Sequence, residues 1–397
     1  MADPRSILVV GASLAGHATA RALRGAGFDG DVVMVGDEPH RPYDRPPLSK
    51  GFLVGTTSVE DLSLEDHETD LGLDWRLGVR AVALDPGTRT VTLADGQMLT
   101  GDAVVVATGS RARGLSPALG GGLRGVHTLR TLDDAVALRT ELLPGARLVL
   151  VGAGFVGAEI AATARAVGLG VTLVEASASP LSGPLGPEVG AMVARLHDAH
   201  GVPLLCGTPV RRLTGRTRVD GVELADGRHL PADVVVLGIG SVAAVDWLAG
   251  SGLDLAPGPT GGLGCDAEGS TGAPGVYGVG DCSAWHDAVR GTRHRVEHWT
   301  DSHERPRRTV EALLGGAGPA PPLPAPYFWS EQYGVRIQFA GRRFGDETLT
   351  VEAGSPETCD VLVVYRRGGE PTAVLGMDQP RLFGRLRRSL AALPVAL

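Results

Sequence analysis

The stretch Arg147–Gly157, with the sequence RLVLVGAGFVG, decides the fold of this 397-residue chain. It opens with an apolar run typical of a buried strand and continues with three glycines in the spacing G-x-G-x-x-G. The first glycine of this motif makes a tight turn, the second lets a pyrophosphate approach the backbone, and the third lets helix and strand pack closely. A helical pattern over Ala158–Val167 and a strand pattern over Gly170–Val174 complete the unit, which ends at Glu175. The stretch therefore predicts a βαβ dinucleotide-binding unit.

The same unit occurs a second time, nearer the start of the chain. Ser6–Val10 has the pattern of a buried strand, Gly11–Gly16 (GASLAG) that of the turn, His17–Gly27 that of the helix and Asp31–Val35 that of the second strand. The chain thus contains an internal duplication, and we expect two dinucleotide sites.

Each copy has a carboxylate where a nucleotide site needs one. Asp37 and Glu175 follow the last glycine of their turns by 21 and 18 residues, close to the ~20 expected for an acid that accepts a hydrogen bond from a ribose hydroxyl. Ser13 replaces the second glycine of the first copy, a change that flavin sites tolerate more often than nicotinamide sites. We therefore assign FAD to the first copy and the nicotinamide cofactor to the second. No Arg or Lys follows Glu175 closely enough to hold a 2′-phosphate, which favours NADH over NADPH.

Later segments have patterns that return to the same two sheets. Further strands are predicted at Asp102–Ala107, Asp233–Leu237 and Val276–Val279, and a helix from about Thr300 to Leu314. A Gly/Pro/Ala linker over 315–326 precedes alternating stretches and a final helix with Arg385, Arg387 and Arg388, which together predict a small antiparallel unit.

The predicted fold class is α/β, with two Rossmann-like βαβ dinucleotide-binding domains in a glutathione-reductase-like architecture plus a small α+β C-terminal domain. We place a discontinuous FAD-binding domain at residues 1–113 and 241–318, the NADH-binding domain at 114–240 and the C-terminal domain at 319–397.

Composition excludes several classes of protein. Hydrophobic residues are 43% and charged residues 21% of the chain, as in an ordinary folded protein. The net charge of −8 and the lack of a long basic run argue against nucleic-acid binding. Apolar runs of four or five residues are too short for a membrane helix, and a strand pattern from Ser6 leaves no room for a signal peptide, so we expect a cytoplasmic protein.

Cysteines and histidines form no metal motif. The four cysteines lie far apart without a C-x-x-C, which predicts buried thiols rather than a disulfide framework or a zinc site. We interpret His197 and His200 as side chains on a solvated helix face. We predict no metal.

Four motifs are more specific than the glycine patterns. They are PYDRPPLSK at residues 42–50, GAGFVGAEIA at 152–161, RVEHW at 295–299 and PYFWS at 326–330. With them the whole chain resembles the FAD-dependent, NADH-linked ferredoxin reductases of bacterial oxygenase systems, relatives of putidaredoxin reductase and of the apoptosis-inducing-factor flavoproteins.

The resemblance implies the cofactor-binding residues. Ala15 and Gly16 would line the FAD pyrophosphate, Arg45 and Arg130 would neutralise its oxygens, Ala81 would meet the adenine, and Asp281 would bind the ribityl chain. The helix beginning near Trp299 would point its positive end at the flavin pyrimidine, and Trp329 would pack beside the ring system. The full candidate set is Gly11, Ser13, Ala15, Gly16, Asp37, Arg45, Lys50, Ala81, Ala107, Thr108, Gly109, Arg130, Gly280, Asp281, Glu297, His298, Trp299, Trp329, Gly152, Gly154, Phe155, Gly157, Glu159, Glu175 and Gly240.

Lys50 is the only lysine in the chain. In the family this lysine pairs with a glutamate that matches Glu159, on the nicotinamide side of the flavin, so Lys50 and Glu159 are the candidate catalytic residues. A compact ammonium fits a crowded place under a ring where a planar guanidinium would clash.

The resemblance also implies a partner. Electrons would pass to a 2Fe–2S or other small iron–sulfur ferredoxin and so indirectly to a cytochrome P-450 or Rieske oxygenase, with the reductase a monomer or weak dimer. The candidate docking residues are Arg290, Arg293, Arg307, Arg308, Arg336, Arg342, Arg343, Arg385 and Arg388. Scattered solvated arginines are the alternative interpretation.

Three places depart from the family pattern. Ala243-Ala244 stands for Pro-Asn, Asp301-Ser302 for Asn-Ala, and Arg305-Pro306 for Gln-Gly. We expect Pro306 to bend its helix and Asp301 to add negative charge near the flavin. Two alternative functions follow: a flavoenzyme acting on a small organic molecule in secondary metabolism, and a redox signalling flavoprotein like the apoptosis-inducing relatives.

Overall fold

The structure is a computed structural model of the chain. It describes residues 4–66, 69–258, 261–287, 291–316 and 325–392. Arg290 of the candidate docking set lies outside these residues, as do residues 317–324, which contain most of the predicted linker and the predicted boundary at 318.

The first glycine-rich turn follows the central strand of a five-stranded parallel sheet. Its inner strands are buried, with Val9, Val104 and Val105 at 0% exposure. The helix Leu14–Gly25 follows the first strand and packs against the helix Trp299–Leu313. The strand order is Val276–Gly278, Ala103–Val106, Ser6–Val10, Asp31–Gly36 and Leu73–Leu77.

The second glycine-rich turn lies in a second parallel sheet with the same local plan. In both sheets the strand before the turn is flanked on one side by the next strand of its βαβ unit and on the other by a strand from much later in the chain. The helix Phe155–Ala166 follows the turn. The strand order is Leu204–Leu205, Gly170–Val174, Arg147–Val151, Val234–Leu237 and Val126–His127. The predicted duplication is confirmed.

The described residues also form four small sheets and further helices. The antiparallel sheets are Ala81–Asp85 with Thr90–Leu93 and Met98–Thr100, Val210–Gly215 with Val219–Leu224 and His229–Pro231, and Ser110–Ala112 with Ser241–Ala243. A mixed sheet holds Leu263–Cys265, Ser283–Asp287 and Thr292–Arg295. The α-helices are Gly51–Val54, Leu132–Glu141, Ser182–Leu185 and Pro187–Ala199, and the 3-10 helices are Pro46–Ser49, Glu60–Leu62, Pro117–Leu119, Asp246–Leu248 and Gly280–Cys282.

The C-terminal unit is a five-stranded antiparallel sheet covered by the helix Pro380–Ala392. Its strand order is Tyr327–Gln332, Val335–Gly341, Glu370–Met377, Asp360–Arg367 and Thr348–Ser355. The fold class is therefore as predicted, whereas the domain boundaries remain a prediction.

One hydrophobic core joins the C-terminal sheet to the helix Pro187–Ala199. Val189 and Val193 of the helix share a buried cluster with Ile337 and Leu375 of the sheet. The Tyr365 hydroxyl donates a buried hydrogen bond of 2.8 Å to the carbonyl oxygen of Leu185. The last sheet is thus packed directly against the second dinucleotide-binding half.

Two predictions about helices were wrong in detail. The helices after the glycine turns begin at Leu14 and Phe155, three residues earlier than predicted, because the last glycine of each motif lies inside the first turn. His197 is fully buried rather than solvated, since its helix face meets the C-terminal sheet.

None of the described helices is both long and apolar enough to cross a bilayer. Within the same residues no group of three or more His, Cys, Asp or Glu side chains could hold a metal ion. All four cysteines are free thiols, and Cys206 is half-buried whereas the other three are buried as predicted.

Candidate functional site

A large cavity of about 1290 Å³ opens between the first parallel sheet, the second glycine-turn helix and the C-terminal sheet. Most of the candidate residues lie in its wall. These are Gly11, Ser13, Ala15, Asp37, Arg45, Lys50, Ala81, Ala107, Thr108, Gly109, Arg130, Phe155, Glu159, Asp281, Glu297, His298, Trp299 and Trp329. The candidates outside the wall are Gly16, Gly280, Gly152, Gly154, Gly157, Glu175 and Gly240.

The two glycine turns have matching steric constraints. A Cβ atom on Gly11 would lie 2.1 Å from the Ala107 carbonyl oxygen, and one on Gly152 would lie 2.3 Å from the Gly238 carbonyl oxygen. Both glycines also have positive φ, of 123° and 100°. The backbone therefore requires glycine at the first position of each motif.

The middle position of each motif is different, since nothing in the protein crowds it. A Cβ atom on Gly154 would meet no atom within 4 Å. In the first turn Ser13 occupies this position, and its hydroxyl accepts a hydrogen bond of 3.3 Å from Arg45 Nε. The open space beside Gly154 is what the approach of a pyrophosphate to the backbone needs.

Three helices begin at or beside this cavity without a side-chain cap. Ser13, Gly154 and His298 are their N-cap residues, and none makes a side-chain capping hydrogen bond. By contrast, Leu132–Glu141 has a complete capping box from Thr131 and Asp134. The first N–H groups of an uncapped helix and its positive dipole end are suited to an anionic ligand.

Arg45 lies in the cavity wall and is held by acidic and carbonyl groups. Its guanidinium contacts Glu38 Oε1 at 2.7 Å and donates to the Arg130 carbonyl oxygen. The Tyr43 hydroxyl donates to the other oxygen of Glu38 at 2.5 Å. Sequence reasoning missed Glu38, although it directly follows Asp37, the predicted ribose acid. The Asp37 carboxylate itself pairs with Arg80 at 2.9 Å.

Arg130 and Asp281 form a second charged pair in the wall. Arg130 Nη2 lies 2.7 Å from Asp281 Oδ2, and the Ser302 hydroxyl donates to Asp281 Oδ1 at 3.2 Å. Asp281 therefore connects the strand end of the first sheet to the first turn of the helix Trp299–Leu313.

Lys50 and Glu159 meet inside the cavity at a distance of 2.7 Å from Nζ to Oε2. The Glu159 side chain is 7% exposed and that of Lys50 is 21% exposed. The carboxylate also accepts hydrogen bonds from the hydroxyls of Ser49 at 2.5 Å and Ser330 at 2.8 Å. A carboxylate with this many donors is held in one orientation, and it fixes the ammonium in turn.

Aromatic rings line the end of the cavity next to the C-terminal sheet. Trp299 and Trp329 lie edge to face with centroids 6.0 Å apart. The Trp299 indole N–H donates to Asp44 Oδ1 at 2.7 Å, and burial raises the pKa of Asp44 even though this hydrogen bond and Lys50 act in the opposite direction. Burial lowers the pKa of His298. Asp44 was missed because its place in the PYDRP motif gave no sign of a partner so far along the chain.

The aromatic series continues outward from Trp329. Tyr327 stacks beside Trp329 with centroids 6.0 Å apart, and the guanidinium of Arg387 lies 3.8 Å from the Tyr327 ring centroid. Arg387 belongs to the helix Pro380–Ala392, which has four arginines and no acidic residue. The cavity is thus connected by side-chain contacts to a basic helix.

Glu175 lies at the second glycine turn, away from the large cavity. Its carboxylate accepts hydrogen bonds of 2.9 Å from the backbone N–H groups of Ala153 and of Ser177. These bonds hold the Glu175 carboxylate against the second glycine turn.

The departures from the family pattern have structural explanations. The helix Trp299–Leu313 continues through Pro306, and Trp299 and Ser302 at its start lie in the cavity wall. The charge of Asp301 is not left uncompensated, because Arg305 Nη2 lies 3.1 Å away. The backbone of Ala244 accepts from the Thr108 hydroxyl at 2.8 Å and donates to Gly109.

The candidate docking arginines do not form one free basic surface. Five of them, Arg293, Arg307, Arg308, Arg342 and Arg343, each lie within 4.0 Å of a carboxylate. Arg385 and Arg388 lie on the helix Pro380–Ala392. The charges of these five arginines are therefore compensated locally, which leaves Arg385 and Arg388 as the stronger docking candidates.

Comparison with known proteins agrees with this geometry. The pyridine nucleotide-disulphide oxidoreductase family model matches residues 5–311, and the reductase C-terminal model matches residues 327–394. The chlorobenzene dioxygenase ferredoxin reductase component of Cupriavidus sp. is 36% identical over 97% of this chain and 92% of its own length. The ferredoxin–NAD(+) reductase component of the Paraburkholderia xenovorans biphenyl dioxygenase system is 36% identical over 95% of this chain and 91% of its own.

Solved structures give the same result. The reductase in the covalent putidaredoxin reductase–putidaredoxin complex superposes with a TM-score of 0.92 at 32% identity, covering 98% of this chain and 93% of that one. The ferredoxin reductase for the CYP199A2 system of Rhodopseudomonas palustris has a TM-score of 0.90 at 30% identity, with 98% and 95% covered. The chain belongs to the pyridine nucleotide-disulphide oxidoreductase family, in the branch of FAD-dependent NADH:ferredoxin reductases that serve oxygenases.

Proposed function

We propose that this protein passes a hydride from NADH to FAD and then single electrons to a small iron–sulfur ferredoxin that supplies a cytochrome P-450 or Rieske oxygenase. The observation that carries the proposal is the placement of the Lys50–Glu159 pair, Trp299 and Trp329 in the wall of one cavity that begins at an uncapped glycine turn. We place the reaction in the cytoplasm.

The residues of the large cavity fit FAD. The uncapped start of Leu14–Gly25 and Arg45 provide donors for the pyrophosphate, and Asp37 and Glu38 provide acceptors for ribose hydroxyls. The aromatic end of the cavity, at Trp299 and Trp329, provides an apolar wall for a ring system. When bound, FAD supplies the conversion between the two-electron donor NADH and a one-electron acceptor.

The second turn provides the NADH site. We assign the pyrophosphate to the backbone at Gly152, Gly154 and Gly157 and the ribose to Glu175. Phe155 and Glu159 belong to the helix that starts at this turn, yet they line the large cavity, so the helix brings the nicotinamide end towards the flavin.

Lys50 and Glu159 position the reacting partners in this scheme. Glu159 holds the ammonium of Lys50 in the cavity wall, and the two hydroxyls of Ser49 and Ser330 hold Glu159. Because the pair is already ordered, it can respond to electron density arriving in the cavity without a rearrangement of the protein.

We place the ferredoxin on the surface formed by Tyr327 and the helix Pro380–Ala392. This helix presents arginine without acidic residues, and Tyr327 connects it to Trp329 in the cavity wall. An acidic iron–sulfur protein would associate with such a surface quickly and in a salt-dependent manner.

An anaerobic titration tests the proposal. The purified protein is expected to be yellow, NADH should bleach it, and cytochrome c should be reduced only after a ferredoxin is added. Turnover of a small organic substrate without ferredoxin would support the first alternative function. Slow reduction with a change of oligomeric state would support redox signalling.

The docking surface has its own test. In the double variant R385Q/R388Q we expect a several-fold higher KM for ferredoxin at low salt and unchanged bleaching by NADH. The control is Arg211→Gln, which alters an exposed, paired arginine of the second half. Equal KM values in the double variant and the control would place docking elsewhere.

A further inference from the structure

An ion pair that has no assigned role joins the first turn of the helix Trp299–Leu313 to the second. Asp301 Oδ2 and Arg305 Nη2 are 3.1 Å apart, and their side chains are only 13% and 12% exposed. Neighbouring residues of the first turn, Trp299 and Ser302, line the large cavity. The pair therefore belongs to the same helix end as these wall residues and is itself mostly buried, so solvent screens its charges poorly.

Arg305 is held in place by an aromatic ring as well as by Asp301. Its guanidinium lies 4.9 Å from the ring centroid of Trp285, which is 1% exposed. The Trp285 indole N–H donates to the Ser283 hydroxyl at 2.9 Å, so the ring itself is fixed. An arginine stacked in this way keeps its charge at one point instead of sampling solvent.

Three carboxylates near this part of the wall are each paired with an arginine. Asp281 pairs with Arg130, Glu297 with Arg295, and Asp301 with Arg305. Removing the charge of Arg305 alone leaves one carboxylate uncompensated beside the uncapped helix start, whose positive end would otherwise stabilise negative charge in the cavity.

We propose that Arg305 cancels the charge of Asp301 and so keeps that carboxylate from lowering the reduction potential of the bound flavin. Arg305 is a positioning residue, because it acts through Asp301. This inference rests on the proposed FAD site. It deepens the proposed function by naming two residues outside the cavity wall whose charges affect the potential. Reduction adds electrons within the cavity, so an uncompensated carboxylate there opposes it and an uncompensated guanidinium favours it.

A double-mutant cycle tests the proposal by potentiometric titration of the holoprotein with a reference dye, without NADH or ferredoxin. In Arg305→Gln we expect the oxidised form to be favoured about tenfold, which is a shift of about 30 mV to lower potential for a two-electron couple. Asp301→Asn should shift the potential by a similar amount to higher values. The double variant D301N/R305Q should return to within about twofold of the wild-type equilibrium constant.

The same helix offers a matched control. Arg307 and Glu311 form an i,i+4 pair at 3.0 Å, but their side chains are 82% and 54% exposed. Arg307→Gln should leave the potential unchanged. A thermal melt of each variant distinguishes a structural role of the pair from an electrostatic one. A purely structural role would lower the Tm and leave the reduction potential unchanged.

Several results would overturn the inference. A wild-type potential in Arg305→Gln with flavin retained would do so, as would a double variant that keeps the value of Arg305→Gln. If Arg305→Gln does not fold, the near-isosteric Asp301→Asn carries the test, and an unchanged potential there refutes the pair's role. A wild-type protein that binds no flavin at all would instead refute the proposed function.

Discussion

Lys50 Nζ and Glu159 Oε2 lie 2.7 Å apart although one residue follows the first dinucleotide unit and the other lies in the helix of the second. The contact joins the two halves of the molecule inside the large cavity. It brings a charge from the first dinucleotide-binding half to the helix that starts at the second glycine turn, where we propose that the hydride crosses.

Replacing Lys50 by arginine should slow flavin reduction by NADH at least tenfold while FAD stays bound. The planar guanidinium cannot keep the compact contact with both Glu159 and the Pro46 carbonyl oxygen, which Lys50 Nζ reaches at 3.0 Å. Stopped-flow absorbance measures the rate. Glu159→Gln should slow reduction too, because it removes the partner that orients the ammonium, and reduction at the wild-type rate in both variants would contradict this assignment.

Gly154→Ala should weaken NADH binding without lowering stability. An added Cβ meets no protein atom within 4 Å, and Gly154 has a negative φ of −72°, so only a ligand approaching the backbone would be obstructed. The KM for NADH and the Tm measure the two effects. Gly25→Ala, at another uncrowded glycine at the end of the first helix, is the control, and equal KM values in both variants would show that the dinucleotide does not approach Gly154.

Glu175→Ala should reduce the preference for NADH over NADPH. The carboxylate is fixed against the second turn by the Ala153 and Ser177 N–H groups, and its charge repels a 2′-phosphate. We expect the KM for NADH to rise and that for NADPH to fall, each by several-fold. An unchanged ratio of kcat/KM for the two nucleotides would remove Glu175 from the ribose site.

His197 should make the protein less stable in acid. Burial lowers the pKa of this fully buried imidazole from 6.5 to about 4, and its Nδ1 contacts the Tyr333 hydroxyl at 2.8 Å. Below pH 6.5 the unfolded chain binds a proton at this imidazole, whereas the folded protein binds it only near pH 4. The contribution of the neutral imidazole to the free energy of unfolding is therefore fully present above pH 6.5 and is lost as the pH falls towards 4.

The loss assigned to His197 is about 3 kcal/mol at its full extent. Denaturant titrations between pH 7 and pH 4 measure it, and His197→Gln should flatten the slope. The exposed His286→Gln is the control. Parallel pH profiles in wild type and His197→Gln would show that other groups cause the acid loss.

The duplicated units were predictable because their signals are local. Strand, glycine turn, helix and acid follow one another within about 30 residues. The steric demands on Gly11 and Gly152 come instead from Ala107 and Gly238, which follow neighbouring strands of the same sheets far along the chain. The helix starts were misplaced because Gly16 and Gly157 contribute to packing from inside the first turn rather than ending the loop.

Contacts between distant segments could not be predicted in the same way. The hydrogen bond from Trp299 to Asp44 and the burial of His197 under the C-terminal sheet depend on how separate units dock. The compensation of Asp301 by Arg305 was within reach, because an acid followed four residues later by a base is a recognisable helical pair.

The core shared by the helix Pro187–Ala199 and the C-terminal sheet limits how this reductase can be recombined with its relatives. A chimera that grafts only the last 70 or so residues onto a relative would place Ile337 and Leu375 against a foreign helix surface. The Tyr365 hydroxyl would then meet a foreign backbone in place of the Leu185 carbonyl oxygen. A chimera that exchanges ferredoxin specificity should therefore include the segment Leu181–Leu196 together with the C-terminal sheet and helix. Changes of electron acceptor would then be coupled to changes in the second dinucleotide-binding half.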